Sequence, residues 1–198
     1  MAKIVNKELK RKEIALASKE LFLQKGFKGL TVLEVANRAN IGKGTIYEYF
    51  KNKEDIIFEI MMILQVQHNV LKKEKLLLAT TTKQRVKIFL DFYYSNEEIE
   101  LRKIYKEYLS IVLTNPNTFI RDIRSVYFKN YFSWFKAILQ QGVDEGEILS
   151  SSLDLAKGIF VMGDGFLVSN CSTIDIIDIQ KDMDSYIDAI FELIEVKK

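Results

Sequence analysis

Apolar side chains recur at intervals of three and four residues along most of this chain, and no hairpin signal with flanking alternation interrupts them. In KEIALASKELFLQKGF, Ile14, Ala17, Leu21 and Phe22 fall at i, i+3, i+7 and i+8 on one helical face. IELRKIYKEYLSIVL repeats the pattern with Leu101, Ile104, Tyr105, Tyr108 and Val112, and the last segment does so with Ile179, Met183, Tyr186, Ile187, Ile190 and Ile194. Such a chain buries one stripe per helix by packing helix against helix. The expected fold is all-α: three short helices, then about six longer ones, about nine in total.

Helix ends are marked by residue chemistry. Gly26 is placed to end the first helix in a left-handed cap. Thr31 opens TVLE, a capping box in which its hydroxyl and the Glu34 carboxylate satisfy each other's backbone donors. The short helix that follows turns Val32, Val35, Ala36 and Ala39 inward. A third begins near Lys43 and ends near Phe50. Asn52 with Asp55 caps a long fourth helix, IIFEIMMILQVQHNVLKKEKLLL. Lys83 to Tyr94 is amphipathic. Asn115-Pro116 breaks a later helix and supplies the next with a cap followed by Pro at its first position. Ser150 to Ser152 cap a helix running to about Ser169, and the final helix begins near Asp178.

One short stretch, IGKGTIYEYFKNKEDII, does not look built for stability. Only Ile46 and Phe50 are clearly apolar, one helical turn apart, and Gly44 costs about 1 kcal/mol relative to Ala in a helix interior. Stepping around the helix from Ile46 puts Phe50 beside it. Gly44, Thr45 and Glu48 then fall on the opposite face, with Tyr47 and Tyr49 on the flanks. Two short helices joined by a tight ANIG turn read as a helix-turn-helix. A glycine on the free face admits a close approach, which suits the DNA major groove, and Lys43 in the first turn reaches outward.

Charge agrees with that placement. Met1–Lys53 carries twelve Lys and Arg against five acidic residues, +7, whereas Glu54–Lys198 carries seventeen against twenty-two, −5. A basic quarter on an acidic remainder suggests a module that meets a polyanion. No run reaches the length of a membrane span, and the charged N-terminus MAKIVNKELKRKE is not a secretory signal. A single cysteine, Cys171, gives no intrachain disulfide framework and reads as a small buried hydrophobe. A cytoplasmic protein is expected.

The segment LFLQKGFKGLTVLEVANRANIGKGTIYEYFKNKEDII resembles the DNA-binding region of the tetracycline-repressor (TetR) family. The matching features are a first helix ending in KGF, the Thr opening the second, the KGTIYEYF recognition helix, and NKED opening the fourth. The resemblance implies a DNA-binding domain over 1–52 and a helical ligand-binding and dimerisation domain over 53–198. It also implies roles by position. Thr31 caps the second helix and touches phosphate, while Lys43, Thr45, Tyr47 and Tyr49 contact bases or backbone. Gly44 and Glu48 share that helix, and Lys53 grips phosphate with help from a helix N-terminus. Gly42 stands where the family often has serine. Glu48 can accept from a cytosine amino group or pair with a neighbouring lysine.

For the remainder the resemblance implies a homodimer through the last two helices and a small-molecule pocket. Gly158, Gly163 and Gly165 lie inside a predicted helix, costly unless another backbone or a ligand comes close. The aromatics on VYFKNYFSWF and its surroundings exceed one buried stripe, although core packing accounts for most of them. Tyr108, Trp134 and Phe166 are the candidate pocket residues, and an apolar or aromatic effector is expected. His68 lacks a second histidine for a metal motif, because Gln65 stands where a Glu would be required, and it reads as exposed or capping. No cofactor, metal or catalytic residue is expected.

The leading reading is a ligand-responsive transcriptional repressor that binds a palindromic operator as a dimer. A regulator of the same fold acting through a protein partner is the alternative. An all-α enzyme fits less well: the chain has one His, one Cys, no glycine-rich phosphate loop after a strand and no metal-ligand spacing.

Overall fold

The helical periodicity resolves into nine α-helices among the residues described by the structure, a computed structural model covering residues 6–114, 118–173 and 178–197. They are α1 (Lys7–Gly29), α2 (Val32–Arg38), α3 (Lys43–Tyr49), α4 (Lys53–Leu78), α5 (Thr82–Leu90), α6 (Ile99–Thr114), α7 (Thr118–Asp144), α8 (Ala156–Ser172) and α9 (Ile179–Ile194). The fold is all-α. Side-chain oxygens begin many of the helices: Asn6 caps α1, Thr31 α2, Thr81 α5 and Asp178 α9. Asn52 accepts the Asp55 amide at 2.9 Å in the first turn of α4.

Several boundaries differ from expectation. Gly26 takes φ 65° and ψ 179°, but α1 resumes after it as far as Gly29, so the glycine makes a kink and not a terminus. A Cβ there would lie 3.1 Å from the Glu107 carboxylate of α6, and the positive φ itself disfavours any other residue. The amphipathic run after Lys83 stays α-helical only to Leu90 and tightens into a 3-10 turn at Asp91–Tyr93. Ser150 to Ser152 lie in a 3-10 turn, Ser150–Asp154, and give α8 no side-chain cap. In α6 the buried stripe ends on Ile111 and not Val112, and in α9 Phe191 is buried while Tyr186 is exposed. The Asn115-Pro116 break lies outside the described residues.

The chain divides into two compact units. The first comprises Met1–Asn69 with Glu100–Pro116. Its buried side chains come from α1 (Ile14, Phe22), α2 (Val35, Ala36), α3 (Ile46), the start of α4 and α6. Tyr108 of α6 meets Phe58 of α4 edge-on at 5.5 Å, and Lys19 of α1 pairs with Glu100 of α6 at 2.9 Å. His68 is buried and not exposed, because position 68 continues the inward stripe of Ile57 and Met61 along α4.

The second unit, Val70–Ile99 with Asn117–Lys198, is built around Phe89, Phe135, Leu139, Ile159, Ile187 and Phe191. A Cβ on Gly142 would come within 2.2 Å of Thr82, so α5 begins directly against the backbone of α7. Lys72 is buried and donates to the carbonyls of Ile88 (2.7 Å) and Phe89 (3.0 Å) and to the Asp91 carboxylate, closing the end of α5. Burial lowers its pKa, with Asp91 opposing. The Leu149 and Val196 amides donate to Ile194 and Glu147, both at 2.9 Å, tying the chain after α9 to the turn that follows α7.

Candidate nucleic-acid interface

The interface begins with the capping box. Thr31 Oγ1 accepts the Glu34 amide at 3.3 Å, and Glu34 Oε2 accepts the Thr31 amide at 2.9 Å and its hydroxyl at 2.8 Å. Lys25 adds an ion pair to Glu34. The Lys25 ammonium, then the Thr31 donors, hold this carboxyl down to about 2. α2 ends in a turn where Asn40 takes φ 54° and Ile41 N–H donates to Ala36 at 3.0 Å. Asn tolerates that left-handed conformation better than most residues.

α3 follows with no side-chain cap: Gly42 is the N-cap and makes no such bond, as the missing serine implied. Ile46 is 0% and Phe50 1% exposed, and burying such side chains stabilises by about 1.5–3 kcal/mol each. A Cβ added to Gly44 would meet nothing within 4 Å. Lys43, Gly44, Tyr47 and Glu48 are exposed, while Thr45 and Tyr49 are half-buried. Neither Lys43 nor Glu48 has an ion pair among the described residues. The seven-residue helix therefore turns two apolar knobs inward and a mixed polar and aromatic face outward.

Two cations counted in the basic quarter point the other way. Lys53 Nζ donates to the carbonyls of Phe27 (2.7 Å) and Leu30 (3.0 Å) and lies 4.2 Å from the Phe27 ring centroid. In this structure its ammonium binds the junction between α1 and α2. Arg11 donates to Tyr49 O at 2.6 Å, to both oxygens of Asp55 (2.6 and 3.3 Å) and to Glu59 at 2.7 Å. It also sits 4.4 Å over the Phe50 ring. Burial opposes its charge, but the hydrogen bonds and charges of Asp55 and Glu59 outweigh that and raise its pKa. Sequence reasoning passed over Arg11; the signal was a carboxylate pair at i and i+4, which needs a cation once Asp55 is buried to 6% exposure. Leu33, a large apolar side chain 53% exposed in the first turn of α2, was passed over too.

The candidate pocket residues fall in different units. Tyr108 is fully buried in the first, and Trp134 and Phe166 are half-buried in the second. Trp134 makes a T-shaped contact with Phe89 at 5.3 Å, so it takes part in core packing. Gly163 is explained by a close approach: a Cβ there would fall 2.0 Å from the Tyr93 ring. Tyr93 donates to Asp164 at 3.1 Å, and Arg124 pairs with Asp164 at 2.6 Å. Cys171 is exposed, not buried, near the end of α8, a helix with one face turned away from the core. Among the described residues no His, Cys, Asp and Glu group is arranged to hold a metal, and no helix is long and apolar enough to cross a membrane.

Two short helices, a four-residue turn and an outward face on the second define a helix-turn-helix DNA-binding head. The family profile of bacterial regulatory proteins, tetR family, matches residues 14–60. The chain is 29% identical over 161 residues to the HTH-type transcriptional regulator YhgD of Bacillus subtilis, covering 77% of this chain and 78% of that one. A TetR-family transcriptional regulator from Cytophaga hutchinsonii shares the fold with a TM-score of 0.79 at 16% identity, over 99% of this chain and 100% of that one. FadR from Bacillus subtilis, solved with stearoyl-CoA, does so with a TM-score of 0.64 at 24% identity, over 91% and 95% of the two chains. Residues 14–60 carry the DNA-binding region of the TetR family of bacterial regulatory proteins, and the chain as a whole has the fold of TetR-family transcriptional regulators.

Proposed function

We propose that the protein is a ligand-responsive repressor that binds a palindromic operator as a homodimer, with residues 1–52 meeting DNA and residues 53–198 supplying the dimer contact and effector site. One observation carries the reading: α3 is pinned by Ile46 and Phe50 and leaves Lys43, Gly44, Tyr47 and Glu48 open, with nothing among the described residues for a Cβ on Gly44 to meet within 4 Å. In the complex, α3 enters the major groove. Lys43, Thr45, Tyr47, Glu48 and Tyr49 lie against bases and backbone, and Gly44 permits the approach. Thr31 and Lys53 serve the phosphates from the starts of α2 and α4, which requires the Lys53 ammonium to leave the Phe27 and Leu30 carbonyls or to serve both.

A dimer is supported by the outer faces of α8 and α9. Gly158, Val161, Gly165 and Val168 are exposed at i, i+3, i+7 and i+10, and Cβ atoms on Gly158 or Gly165 would meet nothing. Tyr186, Ala189 and Leu193 continue exposed apolar surface on α9. Small residues flanked by valine suit close packing of a second copy. The effector is a small apolar or aromatic molecule held within the second unit by residues such as Trp134 and Phe166, while Tyr108 serves the core of the first unit against Phe58. The acyl chain in the FadR complex supports the apolar class.

The test is a mobility shift on DNA upstream of the protein's own gene, with scrambled duplex as competitor. Specific retention that weakens with salt, at a log–log slope near −0.9 per phosphate contacted, supports the reading. Equal competition by scrambled DNA favours a regulator of this fold that acts through a protein partner. The Glu48 carboxylate on the open face, without an ion pair among the described residues, leaves room for that outcome.

A further inference from the structure

Resting on the DNA-binding reading, we propose that Arg11 is a positioning residue: it fixes the exit of the recognition helix and thereby sets operator discrimination without touching DNA. α3 has only seven residues, no side-chain N-cap and two buried anchors. A helix so short does not persist alone and takes its orientation from tertiary contacts. Ile46 and Phe50 set how deep it sits, but two apolar knobs leave rotation about their common line weakly restrained.

Arg11 removes that freedom. Its Nη1 donates to the last helical carbonyl of α3, Tyr49 O, at 2.6 Å, and its plane covers the next side chain, Phe50, at 4.4 Å. The same guanidinium reaches α4 through Asp55 (2.6 Å) and Glu59 (2.7 Å). Asp55 in turn accepts the Lys51 amide at 3.1 Å, so the connection between α3 and α4 is held at residues 49, 50 and 51 from one centre. A planar fork with five donors can make these bonds together; a lysine ammonium cannot. Base-edge hydrogen bonds fail when a helix is tilted or shifted slightly, whereas attraction to phosphates is long-ranged and tolerates it. Loss of Arg11 therefore lowers specific binding more than general binding.

The experiment uses the full chain and two variants, Arg11→Lys and Glu59→Gln. Fluorescence anisotropy is read on the DNA upstream of its gene and on a scrambled duplex, across a salt series, with thermal melts alongside. For Arg11→Lys, operator affinity is expected to fall about tenfold, the scale of one lost base contact, with scrambled-duplex affinity and salt slope unchanged. Glu59→Gln shifts operator affinity the same way by a smaller factor, and carries the test if Arg11→Lys fails to melt cooperatively. A salt slope shallower by about 0.9 would show that Arg11 neutralises a phosphate and would overturn the proposal. So would equal losses on both duplexes, or an unchanged operator affinity. Wild-type protein that does not prefer its upstream DNA fails the underlying reading before any variant is compared.

Discussion

α3 and α8 use glycine in the same way and surround it with opposite chemistry. On α3, Gly44 faces open space beside Lys43, Tyr47 and Glu48. On α8, Gly158 and Gly165 face open space beside Val161 and Val168, while Gly163, on the inner face, is filled by the Tyr93 ring. A missing side chain makes room in each case, and its neighbours say for what. Charge, phenol and hydroxyl around a bare helix suit a hydrated polyanion; valines around bare backbone suit another protein surface. Where the space is already filled from within the chain, the glycine is structural.

Breaking either helix's anchoring gives the largest effects. Phe50→Ala removes one of two knobs and is expected to cost about 3–5 kcal/mol, read in a denaturant titration as early loss of the first unit's helicity. Gly163→Val drives methyls into Tyr93 and is expected to cost about 1–3 kcal/mol by overpacking, with the Tyr93–Asp164 bond lost. Gly165→Leu sharpens the contrast. A Cβ there meets nothing within 4 Å among the described residues, so the variant should leave the fold intact yet shift sedimentation towards monomer. A melt as damaged as that of Gly163→Val would show that the outer face of α8 is not free.

The smallest effect is a matter of pH. Glu34 has its pKa lowered to about 2 by Lys25 and Thr31, so its contribution to α2 is present above the ordinary carboxylate value of 4.5 and is lost as pH falls towards 2. Wild-type and Glu34→Gln proteins should therefore differ in thermal stability at neutral pH and converge in acid. Curves that stay parallel throughout would mean that the capping box adds little.

What was legible in the sequence was whatever depends on near neighbours. The periodic stripes, the Thr31–Glu34 box, the positive φ at Gly26 and the Ile46–Phe50 pair are all set within about eight residues. What was hidden depends on distant partners. Lys53 and Arg11 look like surface cations until Phe27, Leu30, Asp55 and Glu59 are seen beside them, the last 48 residues from Arg11. A long flexible cation points wherever an acceptor lies, and spacing does not say where. His68 and Cys171 went astray in opposite directions for the same reason: one polar and one apolar residue were judged by type, while helix face decided their burial. Helical spacing likewise did not separate Tyr108, packed on Phe58, from aromatics of the second unit.

Whether the bare face of α3 meets DNA is decided by Gly44→Leu. Replacing glycine in a helix where nothing lies within 4 Å should leave the melting temperature equal or raised, the propensity gain being about 1 kcal/mol at most. Anisotropy on the upstream DNA should then show operator binding lost while the protein remains folded. Operator affinity that survives an isobutyl group at this position would contradict the account.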